Sequence, residues 1–173
     1  MPPSLQPSQA RFFLEQIALP WFSHEQPLTK RVIEAVPLDK GDYRPDPISR
    51  SAFELAWHIA FAENRFLDAV ASGEFNFGGS RPDWVRNSAD VAKWYAENFA
   101  ANIKRLEQLS DEQLLKIVDF RGIRQLPAVL FLQSGLHHTI HHRGQLSTYM
   151  RPMGVKVPSI YGQSYDDAQA AKG

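Results

Sequence analysis

The residues best suited to chemistry lie in one run, Leu136-His137-His138-Thr139-Ile140-His141-His142-Arg143-Gly144-Gln145, which holds four of the chain's 6 histidines. Neutral imidazole is a common ligand of divalent metal ions, so a cluster of histidines reads first as a metal site. Side chains four apart on an α-helix share a face, and the run contains two such pairs, His138 with His142 and His137 with His141. The hydrophobic pattern separates them. At roughly 100° per residue, Phe131, Leu132, Leu136, Leu146, Tyr149, Met150 and Met153 fill one broad apolar arc. His138 and His142 fall within or beside it. His137 and His141 point away, toward solvent or a contact surface.

A catalytic centre of this kind usually takes three protein ligands and keeps a fourth position open. Only His24 and His58 remain to supply the third. His24 lies between prolines with no partner at helical spacing and reads as a surface residue. His58 lies in Ser51-Ala52-Phe53-Glu54-Leu55-Ala56-Trp57-His58-Ile59-Ala60, a helical pattern opened by a Ser51/Glu54 capping box. It shares a face with Leu55, Ala62, Phe66 and Ala69 and so faces the core. The expected ligand set is His58, His138 and His142. Each histidine alone would more simply be a hydrogen-bonded core residue; the convergence of three is what points to metal.

Neighbouring residues carry secondary expectations. Gln145, one turn beyond His142, either orients metal-bound water or substrate or packs. Arg143 falls near the apolar arc, so a carboxylate or carbonyl partner is expected, with a clamp on a substrate anion as the alternative. Glu54 either caps its helix or supports His58 from behind. Tyr149 and Tyr161 line a pocket or fill the core. No catalytic residue is identifiable beyond the water or thiol that a metal would activate.

Four segments of helical periodicity must position these groups. The first spans about Ser8 to Val36, and Pro20 and Pro27 predict a short helix followed by a bent or restarted one. The second runs from Ser51 to Ser72, ending before Gly73, and Gly73 to Arg86 reads as a loop folding over one end of the domain. The third spans Ser88 to Leu109. A short helical turn at Ser110-Asp111-Glu112-Gln113 and an irregular or strand-like stretch from Ile117 to Gln125 follow. The fourth, bearing the histidine pair, is expected from Pro127 to Met153; Val155 to Gly162 holds too many breakers to continue it. Four amphipathic helices predict an all-α four-helix bundle with long inter-helix connections, and bundle cores are a usual place for metal sites.

Composition bounds the rest. At 173 residues and 43% hydrophobic, residues 1–173 form one domain, with 1–19 as an N-terminal extension or short helix and 155–173 as a tail. Nineteen basic and nineteen acidic residues cancel, which argues against nucleic acid or an anionic membrane as partner. With no cysteine, disulfides, thiolate ligands and a cysteine nucleophile are excluded. No long apolar run or leader pattern is visible, so a cytoplasmic protein is expected. The second helix also carries Phe53, Trp57 and Phe61 away from His58. A helix apolar nearly all round predicts a homodimer interface, unless Phe12 and Phe13 bury it.

The chain resembles the DinB/YfiT-type family, four-helix bundles with a three-histidine metal site. The likeness rests on His58 within Leu55-Ala56-Trp57-His58-Ile59, on His138-x-x-x-His142 followed by Arg143-Gly144-Gln145, and on Arg151-Pro152-Met153-Gly154 with Val157-Pro158-Ser159-Ile160-Tyr161-Gly162. It covers the chain after Pro20. The resemblance implies a divalent cation, zinc or nickel, on His58, His138 and His142 with solvent completing the shell, and it implies a homodimer. Such proteins include transferases and isomerases that use low-molecular-weight thiols, and metal-dependent hydrolases. Three neutral imidazoles leave the full dipositive charge on an ion, so water or thiol bound there is acidified into a nucleophile. The expected function is therefore a metal-dependent transferase acting on a small-molecule substrate with a low-molecular-weight thiol cosubstrate. The alternatives are a metal-dependent hydrolase of a small amide or ester and a non-catalytic, stress-associated protein that binds metal or a small ligand.

Overall fold

A computed structural model describes residues 5–171; residues 1–4 of the expected N-terminal extension and 172–173 of the tail lie outside the described residues. Helix α1, Pro7–Phe12, continues through one π-helical turn, Phe13–Ala18, into α2, Leu19–Glu34. The break expected at the prolines is absent, for a local reason. The carbonyl that the Pro20 ring would strike is that of Gln16, which lies inside the wider π turn, and Pro20 itself falls in the first turn of α2. Pro27 sits inside α2 on its exposed side and forfeits one backbone hydrogen bond there. Ala10, Leu14, Ala18, Phe22, Leu28, Val32 and Ile33 make the buried stripe of this long rod.

Helix α3, Ala52–Ser72, starts on Ser51, whose side chain accepts from the Glu54 amide, and stops at Gly73 in the left-handed region at φ 78°. Helix α4, Ser88–Glu107, is capped by Asn87 accepting from the Asp90 amide. The short helix α5, Asp111–Leu115, opens with the expected Ser110/Gln113 capping box. The stretch after it resolves into an antiparallel hairpin, β1 at Ile117–Phe120 and β2 at Arg124–Pro127. Helix α6, Phe131–Met150, thus begins later than its sequence suggests: Pro127 closes β2, and a 3-10 turn at Ala128–Leu130 leads into α6. Pro127 is extended at ψ 134°, as a strand end requires and a helical residue could not be. A final helix, α7 at Tyr165–Ala170, was not anticipated; Ser164 caps it by accepting from the Asp167 amide.

The fold is all-α apart from that hairpin, and α2, α3, α4 and α6 form a four-helix bundle. Each packs on two others: α3 against α6 and α4, and α2 against α4 and α6. The ring order is therefore α2, α4, α3, α6, which sets the sequence neighbours α2 and α3 on a diagonal. The long connection of residues 35–51 makes that crossing possible. Its consequence for function is direct, because α3 and α6, which carry the three histidines, become adjacent. No helix of the described residues is long and apolar enough to cross a membrane.

Candidate metal centre

His58 from α3 meets His138 and His142 from α6, and ligand atoms of all three lie within 4.8 Å of one another. The ring centroids are 4.9 Å apart for His58 and His138, 4.6 Å for His58 and His142, and 4.4 Å for His138 and His142. The three histidines singled out by their spacing thus converge in the structure. His137 and His141 are exposed on the far side of α6, and His24 is exposed on α2, as their spacing predicts.

Protonation fits a cation site. Burial, aided by the positive charge of Arg50 and the neighbouring imidazoles, holds His58 down to about 3. Burial with His142, His141 and Arg50 holds His138 down to about 4, and His142 is lowered mainly by burial against the pull of Gln145. Near neutral pH the cluster is uncharged and offers lone pairs. Nδ1 of His142 lies 2.9 Å from Oε1 of Gln145, which can only accept, so the proton sits on Nδ1 and Nε2 is bare toward the cluster. That Nε2 lies 3.3 Å from Nε2 of His58. Two lone pairs cannot face each other at that distance, so a proton or a cation must lie between them. Nδ1 of His138 is buried and finds no hydrogen-bond partner among the described residues. The donor set fits a divalent ion of the kind imidazole prefers.

The other expected site residues fall into three roles. Gln145 orients His142. Glu54 accepts from the Ser51 amide at 2.8 Å and pairs with Arg44 at 2.8 Å, so it serves the helix cap and the cavity rim. Arg143 turns inward, 1% exposed, and meets Glu25 at 2.6 Å, with further hydrogen bonds to the Thr29 hydroxyl at 3.1 Å and the Tyr161 hydroxyl at 2.5 Å. The predicted carboxylate partner is present, and the substrate-clamp alternative does not fit so enclosed a side chain. Removing one partner of such a buried pair typically costs 3–5 kcal/mol. Tyr161 donates on to Glu25 at 2.9 Å, tying the C-terminal tail across α2 and α6. Tyr149 is core and packs edge-on against Tyr43.

Several residues of the site escape a reading by spacing. Glu25 and Glu63 are both buried; each sits on the core stripe of its helix, Glu25 with Phe22 and Thr29, Glu63 with Ile59 and Leu67. An acid on an apolar stripe was the available signal. The wall of the cavity beside His58 consists of Trp57 and Phe61 with Arg44, Arg50 and Arg81 around them. Trp57 stacks on Phe61 at 5.2 Å and packs in a tilted arrangement against Trp94 of α4 at 4.7 Å. The second apolar face of α3 is therefore covered in part by Trp94; Phe12, named as the alternative to an interface, is 59% exposed. Behind His138, Phe66 stacks on Phe120 of the hairpin, and Phe75 and Phe77 from the loop after α3 close the cluster, as expected of a loop covering one end.

The comparisons agree with this fold. The model of the DinB family matches residues 13–173. The chain is 32% identical over 151 residues to the uncharacterised protein YjoA of Bacillus subtilis, an alignment spanning 86% of this chain and 96% of that one. It is 31% identical over 117 residues to the uncharacterised protein YrdA of the same organism, spanning 65% and 67%. The fold superposes on the crystal structure of YjoA, a DinB-like protein, with a TM-score of 0.69 at 29% identity, covering 86% of this chain and all of that one. A DinB-like protein from Bacillus cereus gives 0.71 at 26% identity, covering 85% and 97%.

Proposed function

The chain belongs to the DinB family, and from that premise we propose that it holds one divalent ion, zinc or nickel, on His58, His138 and His142 and transfers a low-molecular-weight thiol to a small electrophilic substrate. The observation that carries the metal is the convergence of three neutral imidazoles from two adjacent helices. When bound, such an ion leaves a position open and acidifies a thiol or water placed there. The chain's own groups do the rest. Gln145 fixes the His142 tautomer, Phe66 packs against the His138 ring, and Trp57 and Phe61 wall the approach to His58.

Thiol transfer is favoured over hydrolysis of an amide or ester by what lines that approach. Among the described residues Glu54 is the only carboxylate there, and the Ser51 amide and Arg44 already engage it. Among the described residues no free acid lines that approach to protonate the departing amine or alcohol of an amide or ester, whereas a thiol adding to an electrophilic carbon expels no such group. A cosubstrate thiol also supplies the sulfur that this cysteine-free chain lacks. We take the working unit to be a homodimer in the cytoplasm, supported by the exposed apolar strip on α1 and α2.

The test is metal content by elemental mass spectrometry on untagged protein, followed by turnover with a panel of thiols and electrophiles. Near-stoichiometric metal is expected in the wild type and its loss in both His58→Ala and His142→Ala. Metal unaffected by either substitution rejects the site. Metal present with ester or amide hydrolysis in the absence of thiol would move the reading to a hydrolase, and metal without any turnover to a binding protein.

A further inference from the structure

The cavity beside His58 carries a charge imbalance that holding a metal does not require. It encloses about 400 Å³ and is lined by Arg44, Arg50 and Arg81, by Trp57 and Phe61, and by the single carboxylate of Glu54. In a chain whose 19 basic and 19 acidic residues balance, three guanidinium groups against one carboxylate at one opening is an uneven allocation. Two of the three are engaged. Arg44 pairs with Glu54 and donates to the Ser49 carbonyl at 2.6 Å. Arg81 lies 4.5 Å from the centre of the Phe53 ring. Arg50 forms no hydrogen bond, ion pair or ring contact among the described residues. It directly precedes Ser51, the cap of α3, so its backbone is held at the start of a long helix.

Arg50 is exposed and lines the same cavity as His58. A guanidinium at that cavity and a dipositive ion on the histidines repel each other. The arrangement becomes favourable when an anion lies between the two positive charges. A planar guanidinium binds a carboxylate through two parallel hydrogen bonds, a geometry lysine cannot reproduce. The aromatic wall of Trp57 and Phe61 suits the apolar part of the same molecule.

We infer that the thiol brought to this site is an anion, a small carboxylate-bearing thiol whose carboxylate is bound by Arg50 while its sulfur is directed at the three-histidine centre. This rests on the reading of His58, His138 and His142 as metal ligands. Arg44 and Arg81 shape the positive rim, and Arg50 is the residue that discriminates charged from neutral thiols.

The experiment is calorimetric titration of zinc-loaded wild type and Arg50→Gln with mercaptoacetate, 2-mercaptoethanol and glycolate, with the zinc content of both proteins measured in parallel. Wild type is expected to bind mercaptoacetate at least about tenfold more tightly than 2-mercaptoethanol, the size of one charge-assisted contact. In Arg50→Gln that preference collapses, 2-mercaptoethanol binds as before and zinc is retained. Equal affinity for the two thiols in wild type, an undiminished preference in the variant, or loss of zinc from the variant overturns the proposal. Glycolate bound in an Arg50-dependent way while neither thiol binds supports the anion site and rejects the thiol. Failure of all three probes to bind rejects both.

Discussion

Glu63 is an acid held almost wholly out of water. It is 1% exposed; Tyr95 donates to one carboxylate oxygen at 2.8 Å, and the other oxygen has no hydrogen-bond partner among the described residues. Burial pushes its carboxyl up to about 7, against the pull of the Thr139 and Tyr95 hydroxyls and the Arg143 charge. The unfolded chain releases this proton near 4.5 while the folded chain keeps it to about 7. The stabilisation from a protonated Glu63 is therefore complete below 4.5, declines as pH rises through 7 and is flat above that, with a slope of at most about 1.4 kcal/mol per pH unit. Glu63→Gln, a neutral isostere, is expected to match the wild type near pH 4.5 and to become progressively more stable than it toward pH 8. His58 and His138 act in the opposite sense, since folded values of about 3 and 4 cost stability as pH falls below 6.5. Urea unfolding of the metal-free pair across pH isolates Glu63, because the histidine contribution is common to both proteins. A difference that does not change with pH would reject the assignment. At this scale the convergence of three histidines was legible, since spacing alone puts two on the inner face of α6 and one on that of α3. Which acid would answer Arg143 was not, because Glu25 reaches it only through the packing of α2 on α6.

The distance between α3 and α6 is set by a glycine. A Cβ at Gly135 would stand 2.7 Å from Cβ and 3.1 Å from Cγ of Phe66. The Cβ of Phe66 is fixed to its backbone and no rotamer change can withdraw it, so an added methyl must push the helices apart. Gly135→Ala is expected to lose about 1–3 kcal/mol to overpacking, although alanine is intrinsically better in a helix by about 1 kcal/mol. Because His58 rides on one helix and His138 and His142 on the other, zinc affinity in a chelator competition should fall as well. Gly144→Ala is the control on the same helix. Nothing lies within 4 Å of its added methyl, so stability should rise slightly with zinc affinity unchanged. Equal affinity in both variants would show that the helix spacing does not tune the site. Periodicity and capping residues made the four long helices readable to within a few residues. They could not distinguish Gly135, a contact point, from Gly144, an open one, since both sit in the same helical pattern. The prolines misled because a π turn, invisible to hydrophobic spacing, accommodates Pro20. Helix α7 was missed although Ser164 and Asp167 carry a cap signal, because breakers dominate the residues before it.

At the scale of the whole molecule, the bundle was legible and its ring order was not. Amphipathic stripes say that four helices share a core, but the diagonal placement of α2 and α3 depends on a connection whose path the pattern does not encode. The expectation of a dimer shifts for the same reason. The apolar surplus of α3 that suggested an interface is partly covered within the chain by Trp94. The exposed apolar surface lies elsewhere, on α1 and its π-helical extension into α2, where Phe12, Ile17 and Trp21 are 59%, 39% and 51% exposed. Ile17 and Trp21 line a groove together with Phe13, Leu136 and Ile140. A contiguous apolar strip of this kind is unusual on a monomer, and a chain of net charge zero raises no long-range repulsion against its own copy. A second copy laid antiparallel along the strip would give the self-complementary contact of a two-fold dimer, for which about 800 Å² per partner is ordinary. Sedimentation velocity of the wild type at micromolar concentration should then report twice the 19.7 kDa chain mass. Introducing like charges with Ile17→Glu and Trp21→Glu together should give the monomer. The same variant should keep its near-stoichiometric metal, because neither residue approaches the three histidines through α3. A wild type that sediments at the chain mass rejects the dimer, and a variant that stays dimeric moves its interface off this strip.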